Sequence, residues 1–292
     1  MTVGDRVCPD PALLGSTFNR LLLIIKPGPN MNYPNRQELE LAHRVQERTF
    51  PARIPTVTGF EIFGRTVPAS LGNGDFFDAI GVRPRPDSHG FVIDPRATVE
   101  HLVLTLGDAT GHGMGSALMA TELRAMLRAS IRLGVYHRDL CQVINAQLVE
   151  DLSSSHFITL LMGRLIAAKN QFRWVSFGQG PIWFYRARTN SIESFDSHHP
   201  PLGILPDIES YTPTETHFEP GDTLLAVSDG FPETMNAAHQ IIGEDIVREV
   251  FKAHSRTDPQ VIYEQLWQCV EAYADGIPQR DDRTFLLIRR QC

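Results

Sequence analysis

What most narrows the fold of this chain is how its strand-like and helix-like segments are grouped. After Gly59 come "FEIFGRTV", "FFDAIGV" and "HLVLTL", short runs rich in aromatic and β-branched residues with no clear helical pattern between them. Two helical segments follow. Met114 to Leu133 is apolar nearly all round and is expected to be buried; Arg138 to Leu152 is more amphipathic. Strands then resume as "FITLLMGRLIA", "QFRWVSF", "PIWFYRA", "SIESF" and "DTLLAVS", separated by turn residues such as Lys169-Asn170 and Thr189-Asn190. Helices return over 244–253 and 259–274, and "RTFLLIRR" closes as a strand. Strands gathered with strands, without a regular βαβ alternation, predict an α+β fold with largely antiparallel sheets. The strands on either side of the helical pair are too few to bury both faces alone, so residues 55–292 are expected to form one domain.

What precedes that domain reads differently. Residues 1–34 carry Pro9, Pro11, Pro27, Pro29 and Pro34, which interrupt regular structure and predict an irregular arm. A linker helix is expected within 35–54: Asn35 can cap it, Glu38 can complete a capping box, and Pro51 stops it. Along it Leu39, Ala42 and Val45 recur at three-residue spacing with Leu41 beside them, a stripe suited to packing on its own domain or to pairing two copies as a homodimer through residues 35–49.

Charge and cysteine content exclude several classes. Lys plus Arg number 27 against 34 Asp plus Glu, a net charge of −7 that gives no electrostatic reason to bind nucleic acid or an anionic membrane. Cys8, Cys141, Cys269 and Cys292 are far apart and form no C-x-x-C pair, so neither a zinc site nor a disulfide framework is expected. The apolar run Leu21 to Ile25 is too short to span a bilayer, and Asp5, Pro9 and Pro11 spoil a signal-peptide pattern, so a cytoplasmic protein is expected.

The chemistry sits in a recurring arrangement, an Asp at a strand end beside Gly or a second Asp: Gly74-Asp75, Gly107-Asp108, Asp229-Gly230 and Asp281-Asp282. Any one of these is ordinary turn vocabulary. Strand ends on one rim can converge, however, and converging carboxylates repel unless cations fill the space between them. With no Cys or His at ligand spacing the donors are hard oxygens, which suit Mg²⁺ or Mn²⁺. Two such ions activating a water would serve phosphate ester hydrolysis. The glycine-rich "GDATGHGMGSAL" is not a nucleotide loop: the position five after Gly107 is His112, the position five after Gly111 is Ser116, and the βαβ context is missing.

These residues resemble the PPM, or protein phosphatase 2C-like, metal-dependent Ser/Thr phosphatases in the bacterial SpoIIE/RsbU branch. "GNGDFFDAI" is similar to the G-G-D-[FY]-[FY]-D motif and "GDATGHGMGSALMA" to G-D-V-[SA]-G-H-G-x-x-A-A-L. "FGQGPIWFY" stands where the family has A-G-H-x-P, and "PPLGIL" resembles its P-L-G segment. "GDTLLAVSDGFPETMN" and "DDRTFLLIRR" resemble its last two motifs. The resemblance implies a β-sandwich of two antiparallel sheets flanked by helices, and two Mn²⁺ or Mg²⁺ ions. It implies as ligands Asp75, Asp108, the Ala109 carbonyl, Asp229 and one of Asp281 or Asp282. Asn73 replaces the first Gly of G-G-D, and Gln179 replaces the motif His. His112 is a proton donor or a turn residue. Asp78 is expected on the opposite strand face, Glu233 as support for the Asp229 turn, Arg65 as an exposed strand residue rather than a phosphate clamp, and His198-His199 as loop residues.

The resemblance further implies hydrolysis of phosphoserine or phosphothreonine, with Asp108 and Asp229 catalytic. The substrate would be a STAS-type anti-sigma-factor antagonist in a partner-switching pathway. Control would come from a separate partner or from dimerisation. The alternatives are a catalytically degenerate binding module of the same fold, set against the retained acidic positions, and a metal-dependent nuclease, set against the acidic balance.

Overall fold

The computed structural model describes residues 36–85, 91–133, 137–153, 155–208 and 213–292. The expected irregular arm over 1–34 and the Asn35 cap lie outside these. In chain order the elements are α1 (Arg36–Glu47), β1 (Thr56–Val57), β2 (Phe60–Val67), β3 (Asp75–Pro84), β4 (Phe91–Ile93), β5 (Thr98–Val99), β6 (His101–Ala109), α2 (Met114–Leu133), α3 (His137–Asp151), β7 (Ile158–Ile166), β8 (Gln171–Phe177), β9 (Ile182–Arg186), β10 (Ser191–Phe195), β11 (Thr214–His217), β12 (Thr223–Val227), α4 (Glu244–His254), α5 (Pro259–Ala274) and β13 (Arg283–Arg290). Residues Arg36–Cys292 form one compact unit.

The strands make two sheets, β10-β9-β12-β13-β2-β1-β5 and β11-β8-β7-β6-β3-β4. Pairing is antiparallel except between β1 and β5, where Thr56 and Val57 run parallel to Thr98 and Val99. Two of the hairpin turns use left-handed asparagines: Asn170 (φ 48°) leads into β8 and Asn190 (φ 52°) into β10.

Three cores stack the sheets and helices into four layers. Phe77, Leu104, Leu106, Leu161, Trp174, Phe184, Leu224 and Leu286 fill the space between the sheets. Phe76, Val103, Leu123, Leu127, Leu148 and Met162 join the six-stranded sheet to α2 and α3, and Trp183, Leu225, Val247, Phe251, Leu266 and Leu287 join the other sheet to α4 and α5. Both faces of the central strands are thus covered, which explains why "HLVLTL" and "TFLLI" read as continuous apolar runs.

The helix α2 departs from expectation. It buries one face, Ser116, Ala120, Leu123, Leu127 and Ile131, at helical spacing, while Leu118 (64% exposed) and Leu133 (75%) face outward. Gly115, Ala125 and Ala129 on the outer side lower its polarity without being core. In α1 the helix stops at Glu47, earlier than Pro51, in a tightened turn where the Thr49 N–H and hydroxyl both donate to the Gln46 carbonyl. Its buried residue is Gln46, whereas Leu41 and Val45 are more than half exposed.

Truncating fully buried Leu123 to Ala should cost about 2–5 kcal/mol in denaturant unfolding, whereas Leu118→Ala should stay within about 0.5 kcal/mol.

Candidate metal centre

Two strand pairs bring the acidic residues to one rim. In the six-stranded sheet Asp75 opens β3 and Asp108 nearly closes β6, and the register sets them directly opposite each other. Strand alternation puts them on the face that carries Phe77, Leu104 and Leu106, toward the second sheet. In that sheet β12 ends at Val227 just before Asp229, and β13 begins just after Asp281 and Asp282; Val227 pairs with Phe285. The rim is stitched across the sheets by the Asp282 carboxylate, which accepts from the Ala69 N–H and the Gly74 N–H, both at 2.7 Å.

Two glycines permit this closeness. A Cβ on Gly74 would sit 2.9 Å from the Ala109 carbonyl oxygen, and one on Gly230 would sit 2.0 Å from the Asp282 carbonyl oxygen. The Ala109 N–H in turn donates to the Gly74 carbonyl at 3.1 Å. Asn73, in place of a glycine, is buried; its side-chain oxygen accepts from the Asp75 N–H (3.1 Å), and its own N–H donates to Gln46 Oε1 (3.1 Å). Gln46 Nε2 completes the link by donating to the carbonyls of Asn73 (2.5 Å) and Ala117 (3.3 Å).

The electrostatics are those of like charges with too little compensation. Burial, then Asp108 and Asp282, hold the Asp75 carboxyl well above its usual range, opposed by the Ser228 and Thr284 hydroxyls. Burial, then Asp229 and Asp281, push Asp108 up to about 8. Burial, then Asp281 and Glu233, push Asp229 up to about 6. Burial also raises Asp282, against its backbone donors. Arg283, which adjoins the cluster, turns away to Glu271, the Gly230 carbonyl and Thr234.

This set suits a hard divalent cation. Asp75 Oδ2 is buried and has no hydrogen-bond partner, an orphan that a cation would satisfy. Among the described residues no three His, Cys, Asp or Glu side chains form a ready-made cage. Ions that retain much of their water shell, Mg²⁺ above all, fit an open set of carboxylates and a carbonyl better than ions that need a closed one.

The two adjacent aspartates have different surroundings. Asp282 is 2% exposed and spends both oxygens on backbone N–H groups. Asp281 is exposed and acts electrostatically on both Asp108 and Asp229. His112 is exposed between Gly111 and Gly113, both at positive φ. The Glu233 N–H donates to the Asp229 carbonyl (2.8 Å), closing that turn. Asp78 lies on the other face, where Arg128 grips it with two 2.6 Å bonds and Arg124 approaches at 3.2 Å. Arg65 stacks over Tyr263 at 5.0 Å, and His198 and His199 pack on Trp174 and Phe177. Sequence reasoning missed Gln46, Ser228 and Thr284 as supports of the cluster, because their partners are remote in sequence.

The sign of the pH dependence follows from the raised pKa values. With folded values of about 8 for Asp108 and about 6 for Asp229 against an ordinary 3.8, the metal-free fold is favoured by their protonation below 3.8, and that contribution is lost as pH rises through 6 and then 8. In EDTA the melting temperature should therefore fall over this window. Mn²⁺ should cancel the fall, bind more tightly as pH rises and release protons on binding, which calorimetry in two buffers would measure.

Comparison with known proteins bears on the family and the fold. Residues 98–291 match the family model "Stage II sporulation protein E (SpoIIE)". The chain is 22% identical over 256 residues to phosphoserine phosphatase RsbU of Bacillus subtilis, covering 88% of this chain and 71% of that protein. Its fold is similar to the SiaA-PP2C domain of Pseudomonas aeruginosa (TM-score 0.67, 20% identity, 87% of this chain and 96% of that one). It is similar also to the PP2C phosphatase domain of SpoIIE from Bacillus subtilis (TM-score 0.64, 17% identity, 80% and 64%). A matched family model over most of the chain, two sheets flanked by helices and an acidic rim between them make this chain a member of the SpoIIE family, with the PPM phosphatase fold.

Proposed function

We propose that this chain is a Mn²⁺- or Mg²⁺-dependent protein phosphatase that hydrolyses phosphoserine or phosphothreonine on a regulatory protein. The observation that carries the reading is the buried, under-compensated carboxylate cluster with its orphaned Asp75 oxygen at the rim between the sheets. The likeness to RsbU, named a phosphoserine phosphatase, supports the same reaction class. Two such ions, when bound, would supply Lewis-acid stabilisation of the phosphoryl group and a more acidic attacking water. Asp75, Asp108, Asp229, Asp281 and the Ala109 carbonyl would hold them, and Asp282 fixes the 69–74 backbone beneath. His112, exposed at the rim, donates a proton to the leaving oxygen.

The substrate in this reading is a phosphorylated STAS-type anti-sigma-factor antagonist, a proposal that rests on the motif resemblance. A cytoplasmic setting is part of this reading and fits the free thiols of Cys269 and Cys292; among the described residues no helix is long and apolar enough to cross a membrane. Dimerisation through α1 is supported by exposed Leu41 and Val45, one turn apart on a helix whose Gln46 is anchored to the domain.

Phosphate release from a phosphoserine STAS protein, with and without Mn²⁺, tests the reading. Asp108→Asn and Asp229→Asn should each lower the rate at least about 100-fold, while in EDTA at neutral pH Asp108→Asn should raise the melting temperature by removing repulsion. His112→Ala should slow the phosphoserine substrate about 100-fold and an aryl phosphate, whose leaving group needs no proton, far less. Unchanged hydrolysis in both Asn variants would defeat the mechanism and leave a binding module of this fold. For α1, light scattering should report a dimer that Leu41→Glu with Val45→Glu converts to monomer; a monomeric wild type would defeat that part.

A further inference from the structure

The turn Phe177-Gly178-Gln179-Gly180-Pro181 carries the chain from β8 in the six-stranded sheet to β9 in the seven-stranded one. It passes beneath the acidic rim, and its Gln179 side chain is 3% exposed. That amide touches both sheets. Thr159 Oγ1, on β7, donates to Gln179 Oε1 at 2.8 Å, and Gln179 Nε2 donates to the Val227 carbonyl, at the end of β12, at 3.0 Å. The carbonyl can only accept, so the amide orientation is fixed.

Each contact lies next to an acidic residue of the cluster. Thr159 is the register partner of Asp108 across β6 and β7, and its hydroxyl is 3.4 Å from the Asp108 carbonyl. Val227 leads through Ser228 to Asp229, and Ser228 Oγ accepts from the Thr284 N–H at 2.8 Å. The turn itself is pinned. The Gly178 N–H donates to the His199 carbonyl (2.8 Å) and to Ser197 Oγ (2.6 Å), and the Ser176 hydroxyl donates to the Gln179 carbonyl. Gly178 adopts φ +69°, with Pro201 2.4 Å from where a Cβ would stand. Gln179 is therefore a strut with a fixed base and two fixed ends.

We propose that Gln179 is a positioning residue that sets the spacing between Asp108 on one sheet and Asp229 on the other, and through it the affinity for the divalent cations. The proposal rests on the metal-dependent reading above. Its physical content is that one donor and one acceptor, held at a set separation, satisfy a half-buried hydroxyl and a buried carbonyl belonging to opposite sheets. An imidazole offers the same pair in one tautomer. Met keeps the volume and offers neither, and Glu presents an acceptor to the Val227 carbonyl.

The test is Mn²⁺ binding to the full chain, read from the free-ion electron paramagnetic resonance signal, alongside phosphate release over a Mn²⁺ titration. Gln179→Met should weaken Mn²⁺ binding about 10–100-fold, with the rate at saturating Mn²⁺ within about threefold of wild type, and Gln179→His should restore binding to within about threefold. Melting in EDTA separates misfolding from misplacement: a variant that melts with wild type yet binds Mn²⁺ weakly supports the strut. Wild-type Mn²⁺ affinity in Gln179→Met would overturn it, as would failure of Gln179→His to recover binding while folded. A wild-type chain that binds no Mn²⁺ would instead overturn the phosphatase reading itself, and the strut with it.

Discussion

Mutual repulsion among carboxylates is the constraint around which the rim of this molecule is organised. Asp75, Asp108, Asp229 and Asp282 all sit where burial and neighbouring negative charge raise the cost of ionisation. The surrounding chain answers with neutral donors. Backbone N–H groups of Ala69 and Gly74 serve Asp282, and the Ser228 and Thr284 hydroxyls serve Asp75. These dipoles hold the acids in place without cancelling their charge. The cluster stays able to attract a cation because it carries no arginine of its own. Three residues along β3 from Asp75 the opposite solution is used, and Asp78 is neutralised by Arg128 and Arg124. The same strand thus carries one carboxylate with no cationic partner and one held by two arginines.

Much of this was legible in the sequence because it depends on local pattern. Short runs rich in aromatic and β-branched residues marked the strands, turn residues marked their ends, and Asp next to Gly or a second Asp marked the rim. What was not legible depends on partners remote along the chain. Asp281 and Asp282 differ because only one of them meets the N–H groups of Ala69 and Gly74. Gln46 and Gln179 look like surface amides until the fold brings Asn73 to one and Val227 to the other. The error on α2 had a different origin: alanines and a solvent-facing leucine make a helix look apolar on faces that water can still reach, as Ala125, Ala129 and Leu118 show.

The four-layer architecture explains why polar chemistry is confined to strand ends. Between the sheets Leu104, Trp174 and Leu286 exclude water, and outside them the helices cover both flanks. A carboxylate pointing inward from mid-strand would be buried without a partner. At the rim the same inward direction meets loop backbone, as where Gly74 approaches the Ala109 carbonyl, so Asp75 and Asp108 keep the rigidity of strand residues beside the loops.

The tie between Asp282 and the loop before β3 has a consequence for how the protein comes into being. The Ala69 N–H waits for a carboxylate 213 residues downstream, and the Gly74 N–H for the same group 208 residues away. During synthesis the segment bearing Asp75 emerges some two hundred residues before the acceptor that orders it. Contacts of such long sequence separation form late, after the chain entropy between them has been spent. Ordering of the Asp75 loop thereby waits on β13: a nascent chain lacking β13 lacks the clamp on that loop.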